Sequence, residues 1–358
     1  MKKLIIGSLS FLLVACGGGG EGGNITVDTG VRDYNEFFVP LPENALYPAD
    51  NPYNAAKERL GEFLFWDPVL SGNQNTSCAS CHHPDFGWAD GRRFSIGHDG
   101  VGAGPNRLGS QVTDIHSPTI MNVAFTGLTI NSQLSSFVSG GYFWDLRADT
   151  LREQAIGPIQ NPIEMLGDDI PVADALPVMV ERLKAIPEYV ELFEQAFSSE
   201  NAITPENIGK ALATFQRRII SPNTRFDQFI SGNTNVLTQQ EIVGLNKFID
   251  GGCARCHSGP MLSDNQIHDD EAIINDEVVR TPTLRNLSHT APYMHDGSRA
   301  TLIDAIATYE GRDDLETPIG EGDFADIAAF LNTLNTNSFY RGKPARLPSG
   351  LTVGGNIN

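Results

Sequence analysis

Apolar residues recur at helical spacing in seven separate stretches of this chain, and strand-like alternation is sparse. Leu60, Phe63 and Leu64 fall on one face, which predicts a helix over 54–66 that Asp67-Pro68 ends. Further helical periods cover 150–155, 172–197, 204–220, 238–249, 302–309 and 323–334. Thr204-Pro205-Glu206-Asn207 reads as an N-cap followed by proline at N1. The stretch 83–142 is rich in Gly, Ser, Asn and Pro and reads as long loops, which in a compact domain are usually functional. The pattern predicts a mostly α protein of two domains, divided near 221–236, with no repeat beyond two short cysteine motifs.

Composition narrows the partners. Hydrophobic residues make up 40% of the 358, enough for real cores, so wholesale disorder is ruled out. Acidic side chains number 44 against 25 basic ones, a net charge of -19 that argues against nucleic acid. No window reaches the run of about 18 apolar residues that a spanning helix needs. The chain opens Met1-Lys2-Lys3 and then runs apolar from Leu4 to Ala15, as a secretory signal does. Leu13-Val14-Ala15-Cys16 resembles the bacterial lipobox, so 1–15 is expected to be a lipoprotein signal peptide and Cys16 the lipidated N-terminus. The glycine-rich run after it suits a flexible, lipid-anchored linker over 16–40. Residue 17 is not Asp, which by the rules of such signals implies the outer membrane. Loss of 1–15 leaves 23 basic against 44 acidic side chains, a net -21.

The remaining cysteines form two copies of one pattern, Cys78-Ala79-Ser80-Cys81-His82 and Cys253-Ala254-Arg255-Cys256-His257. C-x-x-C-H is the attachment signature of c-type haem. The thiols add to the two vinyl groups, and the next residue places an imidazole on the iron as proximal ligand. Zinc is the weaker reading, because the pairs lie 175 residues apart. A redox dithiol is also weaker, because neither pair sits in a strand–helix setting. Two covalently bound c-type haems are therefore expected, and export fits, since that haem is attached in the periplasm.

Several segments resemble the bacterial dihaem cytochrome c peroxidases and their relatives of the MauG type. They include Phe94-Ser95-Ile96-Gly97-His98, Ser117-Pro118-Thr119, Phe143-Trp144-Asp145-Leu146-Arg147 and the run from Glu153 to Met165. Thr281-Pro282-Thr283-Leu284-Arg285-Asn286 and Pro292-Tyr293-Met294-His295-Asp296-Gly297 add to these in the right order. The resemblance implies a peroxidatic N-terminal haem domain over 41–230, held by His82. It implies an electron-transfer C-terminal haem domain over 231–335, held by His257, and leaves 336–358 as a tail. It carries over Glu164, Gln154, Trp144 and Pro158 as the catalytic set. Glu164 would move a proton between the oxygens of bound peroxide, Gln154 would orient peroxide or water, and Trp144 would relay electrons between the haems. His295 would bond a haem propionate. A calcium site is implied at the carbonyls of Thr290 and Pro292. Its third position is His116, a poor ligand for an ion that prefers oxygen, with Asn122 or water as substitutes.

Two positions separate the branches of that family. The second ligand of the C-terminal haem is Met in the peroxidases and Tyr in MauG. The motif count places it at Tyr309, with Met294 as the alternative. His98 matches the residue that caps the peroxidatic iron in many peroxidases, but a long Gly-rich loop follows it. Ligation, displacement and simple proximity all stay open for His98. Tyr309 favours a MauG-like or MbnH-like enzyme that uses hydrogen peroxide to form high-valent haem iron and oxidises a side chain, Trp first, of a periplasmic partner protein. The alternative is a cytochrome c peroxidase that reduces hydrogen peroxide to water with electrons from a small cytochrome c or cupredoxin. A non-catalytic dihaem carrier would need neither Glu164 nor Gln154.

Overall fold

The computed structural model describes residues 32–134, 140–268, 279–312 and 315–357. Cys16, the signal and most of the expected linker lie outside them. Nine α-helices are present among the described residues, with short 3-10 turns and isolated bridges between them in place of strands. Helix α1 (Ala55–Trp66) starts at Asn54, whose side chain accepts from the N–H groups of Ala56 and Lys57. Helix α2 (Leu151–Ile156) starts from a Thr150/Glu153 capping box. Helices α3 (Ala175–Lys184) and α4 (Pro187–Phe197) replace the single helix expected over 172–197. Pro187 explains the break: it has no N–H to donate and drives Ile186 to φ -108, ψ 104. Helix α5 (Pro205–Arg217) starts at Thr204 as its pattern predicts. Helix α6 (Arg225–Ile230) lies where a domain boundary was expected, and is followed by α7 (Gln239–Asp250), α8 (Leu302–Ala307) and α9 (Glu321–Asn332).

Two large cores result. The first gathers Leu60, Leu64 and Trp66 of α1 with Met179, Leu183, Phe193, Leu212 and Phe215. The second gathers Phe226 and Phe229 of α6 with Leu245, Phe248, Phe324 and Phe330. A glycine sets the helix crossing in each. A Cβ on Gly61 would sit 2.0 Å from the Ala211 carbonyl oxygen of α5, and one on Gly244 would sit 1.8 Å from that of Asp326 on α9.

The chain ends are exchanged between the cores, and from Tyr34 onward the chain is one compact unit. The linker expected over 16–40 stops short: Phe38 is 0% exposed within the second core, and Phe37 accepts from Gly259 N. Residues 336–357 of the expected C-terminal tail pack on the first half. Leu347 and Ile357 enter the first core, Gly354 N donates to Trp66 O, and Asn356 N donates to Asn75 O.

An internal repeat extends well past the cysteine motifs. Ser117–Asn122 and Thr281–Asn286 share the pattern x-Pro-Thr-x-x-Asn, and both asparagines take φ near +60° at the start of a 3-10 turn. Both also donate from Nδ2 to one hydroxyl, Ser221 Oγ, at 2.8 and 2.6 Å. Tyr142–Leu151 and Tyr293–Leu302 share a bridged turn and a Thr-capped helix start. Arg280 N donates to Trp144 O at 2.8 Å, and His116 N donates to the equivalent His295 O at 2.8 Å. The repeat escapes the sequence pattern because identical residues are few and the two copies differ in spacing.

Candidate haem centres and their acid–base group

Each C-x-x-C-H motif winds into a 3-10 turn, Cys78–Ser80 and Cys253–Arg255, that puts the histidine N–H on the first cysteine's carbonyl. All four cysteines are half-buried and outside any disulfide. Burial pushes Cys78 and Cys81 up to about 12 and Cys253 to about 11, so they are neutral at ordinary pH. His82 Nδ1 donates to Trp88 O at 3.2 Å, and His257 Nδ1 donates to Leu262 O at 3.0 Å. Those bonds fix the tautomer and leave Nε2 as the lone-pair nitrogen. Burial lowers both imidazoles, His82 to about 4, which keeps them in the neutral form that binds iron. Paired thiols with an oriented imidazole beside them fit two c-type haems.

Glu164 lies in a π-turn, Pro162–Leu166. Burial raises its pKa, against the opposing pull of Arg147 and a hydrogen bond from Asn161. Asn161 Nδ2 donates to Glu164 Oε1 at 2.7 Å while its Oδ1 accepts from Ile163 N and Glu164 N. Sequence reasoning missed Asn161, although an Asn directly before a proline turn is a capping signal. The Glu164 charge also opposes ionisation of the Cys78 and Cys81 thiols, a lesser effect than their burial. Gln154 on α2 and Pro158 at the head of the next 3-10 turn are half-buried on the same run of chain.

His98 is 7% exposed, and neither ring nitrogen has a hydrogen-bond partner. Its N–H donates to Ile163 O, and its carbonyl accepts from Thr76 Oγ1, so it lies between the Glu164 turn and the first motif. The loop after it is tied down rather than loose. Buried Arg107 donates to the carbonyls of Ile96, Gly97 and Gly102, and Asp99 accepts from Ser110 and Gln111. Arg107 is a second residue that the sequence reading missed, because a lone arginine in a glycine-rich stretch carries no periodic signal.

Trp144 is 8% exposed and joins the two repeats. Its Nε1 donates to His116 O at 2.9 Å, and its ring meets the edge of His295 at 6.4 Å. Tyr309 follows α8 and packs on the second core, the cluster that also holds Ala254 and Cys253 of the second motif. Met294 sits at φ +72 on a turn and joins neither core among the described residues. Pro292 follows a cis Ala291–Pro292 bond, with Thr290 one residue before it. Neither residue weighed as the third calcium ligand fits. His116 turns Nδ1 onto Arg92 O at 2.7 Å, and the Asn122 amide is committed to Ser221.

A family model described as di-haem cytochrome c peroxidase matches residues 55–235. The chain is 33% identical over 333 residues to a cytochrome c551 peroxidase of Nitrosomonas europaea, covering 87% of this chain and 88% of that protein. It is 31% identical over 360 residues to the methylamine utilization protein MauG of Methylorubrum extorquens, covering 91% and 94%. A solved structure of a MauG-like protein associated with microbial copper homeostasis superposes with a TM-score of 0.64 at 27% identity, over 83% of this chain and 95% of that one. Two haem-attachment motifs on a mostly helical fold, matched along nearly the whole chain, place this protein in the di-haem cytochrome c peroxidase family of haem-dependent oxidoreductases.

Proposed function

We propose that this chain uses hydrogen peroxide to oxidise a side chain, a tryptophan first, of a partner protein, as a MauG-like or MbnH-like enzyme. Bound at the two motifs, haem iron supplies the redox chemistry with peroxide. The protein's part is to hold, orient and move protons. Cys78, Cys81 and His82 hold the first haem, and Cys253, Cys256 and His257 the second. Glu164, desolvated and held by Asn161, takes a proton from one peroxide oxygen and returns it to the other. Gln154 orients peroxide or water, and Pro158 walls the same pocket. Trp144, anchored to both repeats, offers an oxidisable indole between the two centres. The lipobox ending at Cys16 supports a periplasmic, lipid-anchored protein at the outer membrane, and the acidic surface disfavours nucleic acid.

The observation that carries this reading is the place of Tyr309. It packs with the second motif's own cluster, and it stands seven residues past Leu302 as Pro158 stands past Leu151 in the first repeat. A tyrosine there makes a hard, anionic ligand that stabilises oxidised iron. The Tyr309→Met variant tests it: the EPR signature of one haem alone should change, and the reaction with peroxide in the absence of reductant should be lost. An unchanged spectrum would remove Tyr309 from the coordination sphere.

One observation favours a second reading. A buried imidazole with both nitrogens unpartnered calls for a ligand the protein atoms do not supply, and His98 is such a group. With His98 on the first iron, the chain would act as a cytochrome c peroxidase that needs one haem reduced before it reacts, its electrons coming from a small cytochrome c or cupredoxin.

A further inference from the structure

The geometry points to a redox relay, Trp88–Tyr340, that carries oxidising equivalents from the first haem site to the molecular surface, with Glu62 as proton acceptor. The inference rests on the reading of His82 as the ligand of the first haem. Trp88 touches that ligand through its own carbonyl, 3.2 Å from His82 Nδ1. Its indole is fully buried and stacks on the Tyr340 ring, with centroids 6.5 Å apart and planes 12° apart. The same indole donates from Nε1 to Tyr340 O at 2.8 Å, which locks the stack. Phe65 and Phe215 wall Trp88, and Phe215 also meets the Tyr340 edge, so the pair is sheltered by rings that are hard to oxidise. Trp and Tyr are the readily oxidised aromatic side chains, and contact between them keeps each electron step short. Tyr340 itself is only half-buried, so the path ends at solvent.

The proton has a defined destination. Tyr340 Oη donates to the Glu62 carboxylate of α1. Burial, with Glu62 close behind, holds the phenol protonated at ordinary pH. The Arg218 guanidinium lies 4.0 Å from the ring centroid, which makes a cationic tyrosine radical unfavourable. The electron therefore leaves Tyr340 as its O–H proton passes to Glu62, giving a neutral radical. Trp88 accepts that electron after giving one to the oxidised haem site, with hydrogen peroxide as the terminal oxidant. A one-electron donor at the surface then returns an electron, and a proton restores the phenol. The C-terminal segment thereby acquires a role: it delivers Tyr340 to the back of the first haem motif.

The test oxidises the full holoprotein with hydrogen peroxide in the presence of a nitroso spin trap, and reads adducts by EPR and peptide mass spectrometry while peroxide loss is recorded. The adduct is expected on Tyr340. Tyr340→Phe should remove it without slowing peroxide consumption. Glu62→Gln should lower its yield by about tenfold or more, because the proton acceptor is gone. Trp88→Phe should lower it equally, and if that variant fails to fold the Glu62→Gln result still decides. An unmodified Tyr340 while peroxide is consumed overturns the relay, as does a wild-type yield in Glu62→Gln. No peroxide consumption even after one haem has been reduced would take down the reading of the first haem site, and the relay with it.

Discussion

At the scale of single residues, the proposed peroxide chemistry turns on how Glu164 is held. Replacing it with Gln keeps the shape and removes the proton carrier, so peroxide turnover should fall by about a hundredfold or more, read by stopped-flow consumption of peroxide. Asn161 acts through Glu164. Its hydrogen bond opposes the rise that burial causes, so Asn161→Ala should push the carboxyl further up. The base form is then reached only at higher pH, and the acid limb of the turnover profile should move upward. A limb that stays in place would show that the bond does not tune Glu164. Cys78–His82, Cys253–His257 and the run ending at Met165 were legible in the sequence because their chemistry demands fixed residue types at fixed spacing. Arg107 was not, since a lone buried cation reveals itself only through what it touches, and the cap signal of Asn161 before Pro162 does not say that its amide holds Glu164.

The elements show a similar division. Strongly periodic helices such as α1, α5 and α7 begin and end within a few residues of the predicted limits, since their caps are local signals. Helix α6 was missed because it falls in the stretch 221–236 that reads as a domain boundary. It is nonetheless central. Asp227, in its first turn, takes both Arg285 nitrogens at 2.7 and 3.1 Å in the core of the second half. Burial alone would raise this carboxyl, and the guanidinium brings it below its ordinary value. A depressed pKa contributes stability that is present above the unfolded-state carboxylate range and is lost as pH falls through the folded value. Asp227→Asn should cost about 3 kcal/mol near neutral pH and should flatten the acid side of the stability curve, measured by denaturant unfolding of the holoprotein. The helix crossings are tested by Gly61→Ala. Its Cβ would meet the α5 backbone, so about 1–3 kcal/mol should be lost, whereas a surface glycine-to-alanine change in a helix would stabilise.

On the scale of the whole molecule, two repeats face each other through Ser221 and through the paired contacts of Trp144 and His295, and the chain ends are exchanged between the cores. The exchange was not legible in the sequence, because 34–40 holds only a single 3-10 turn and 336–357 no helix, so neither carries a helical period. Ending the chain at residue 335 should therefore destabilise the first core rather than trim a loose end, since Leu347, Ile357 and Tyr340 would leave it. The two branches of the family share this architecture, and in the proposed reading they differ at Tyr309 and His98. The most direct test adds stoichiometric hydrogen peroxide to the fully oxidised holoprotein without reductant and follows both irons by optical and EPR spectroscopy. Loss of both ferric signals, with a long-lived oxidised species, is the result predicted by an open first site and Tyr309 on the second iron. No reaction until one haem is reduced would contradict it, put His98 on the first iron, and make the chain a reductively activated cytochrome c peroxidase.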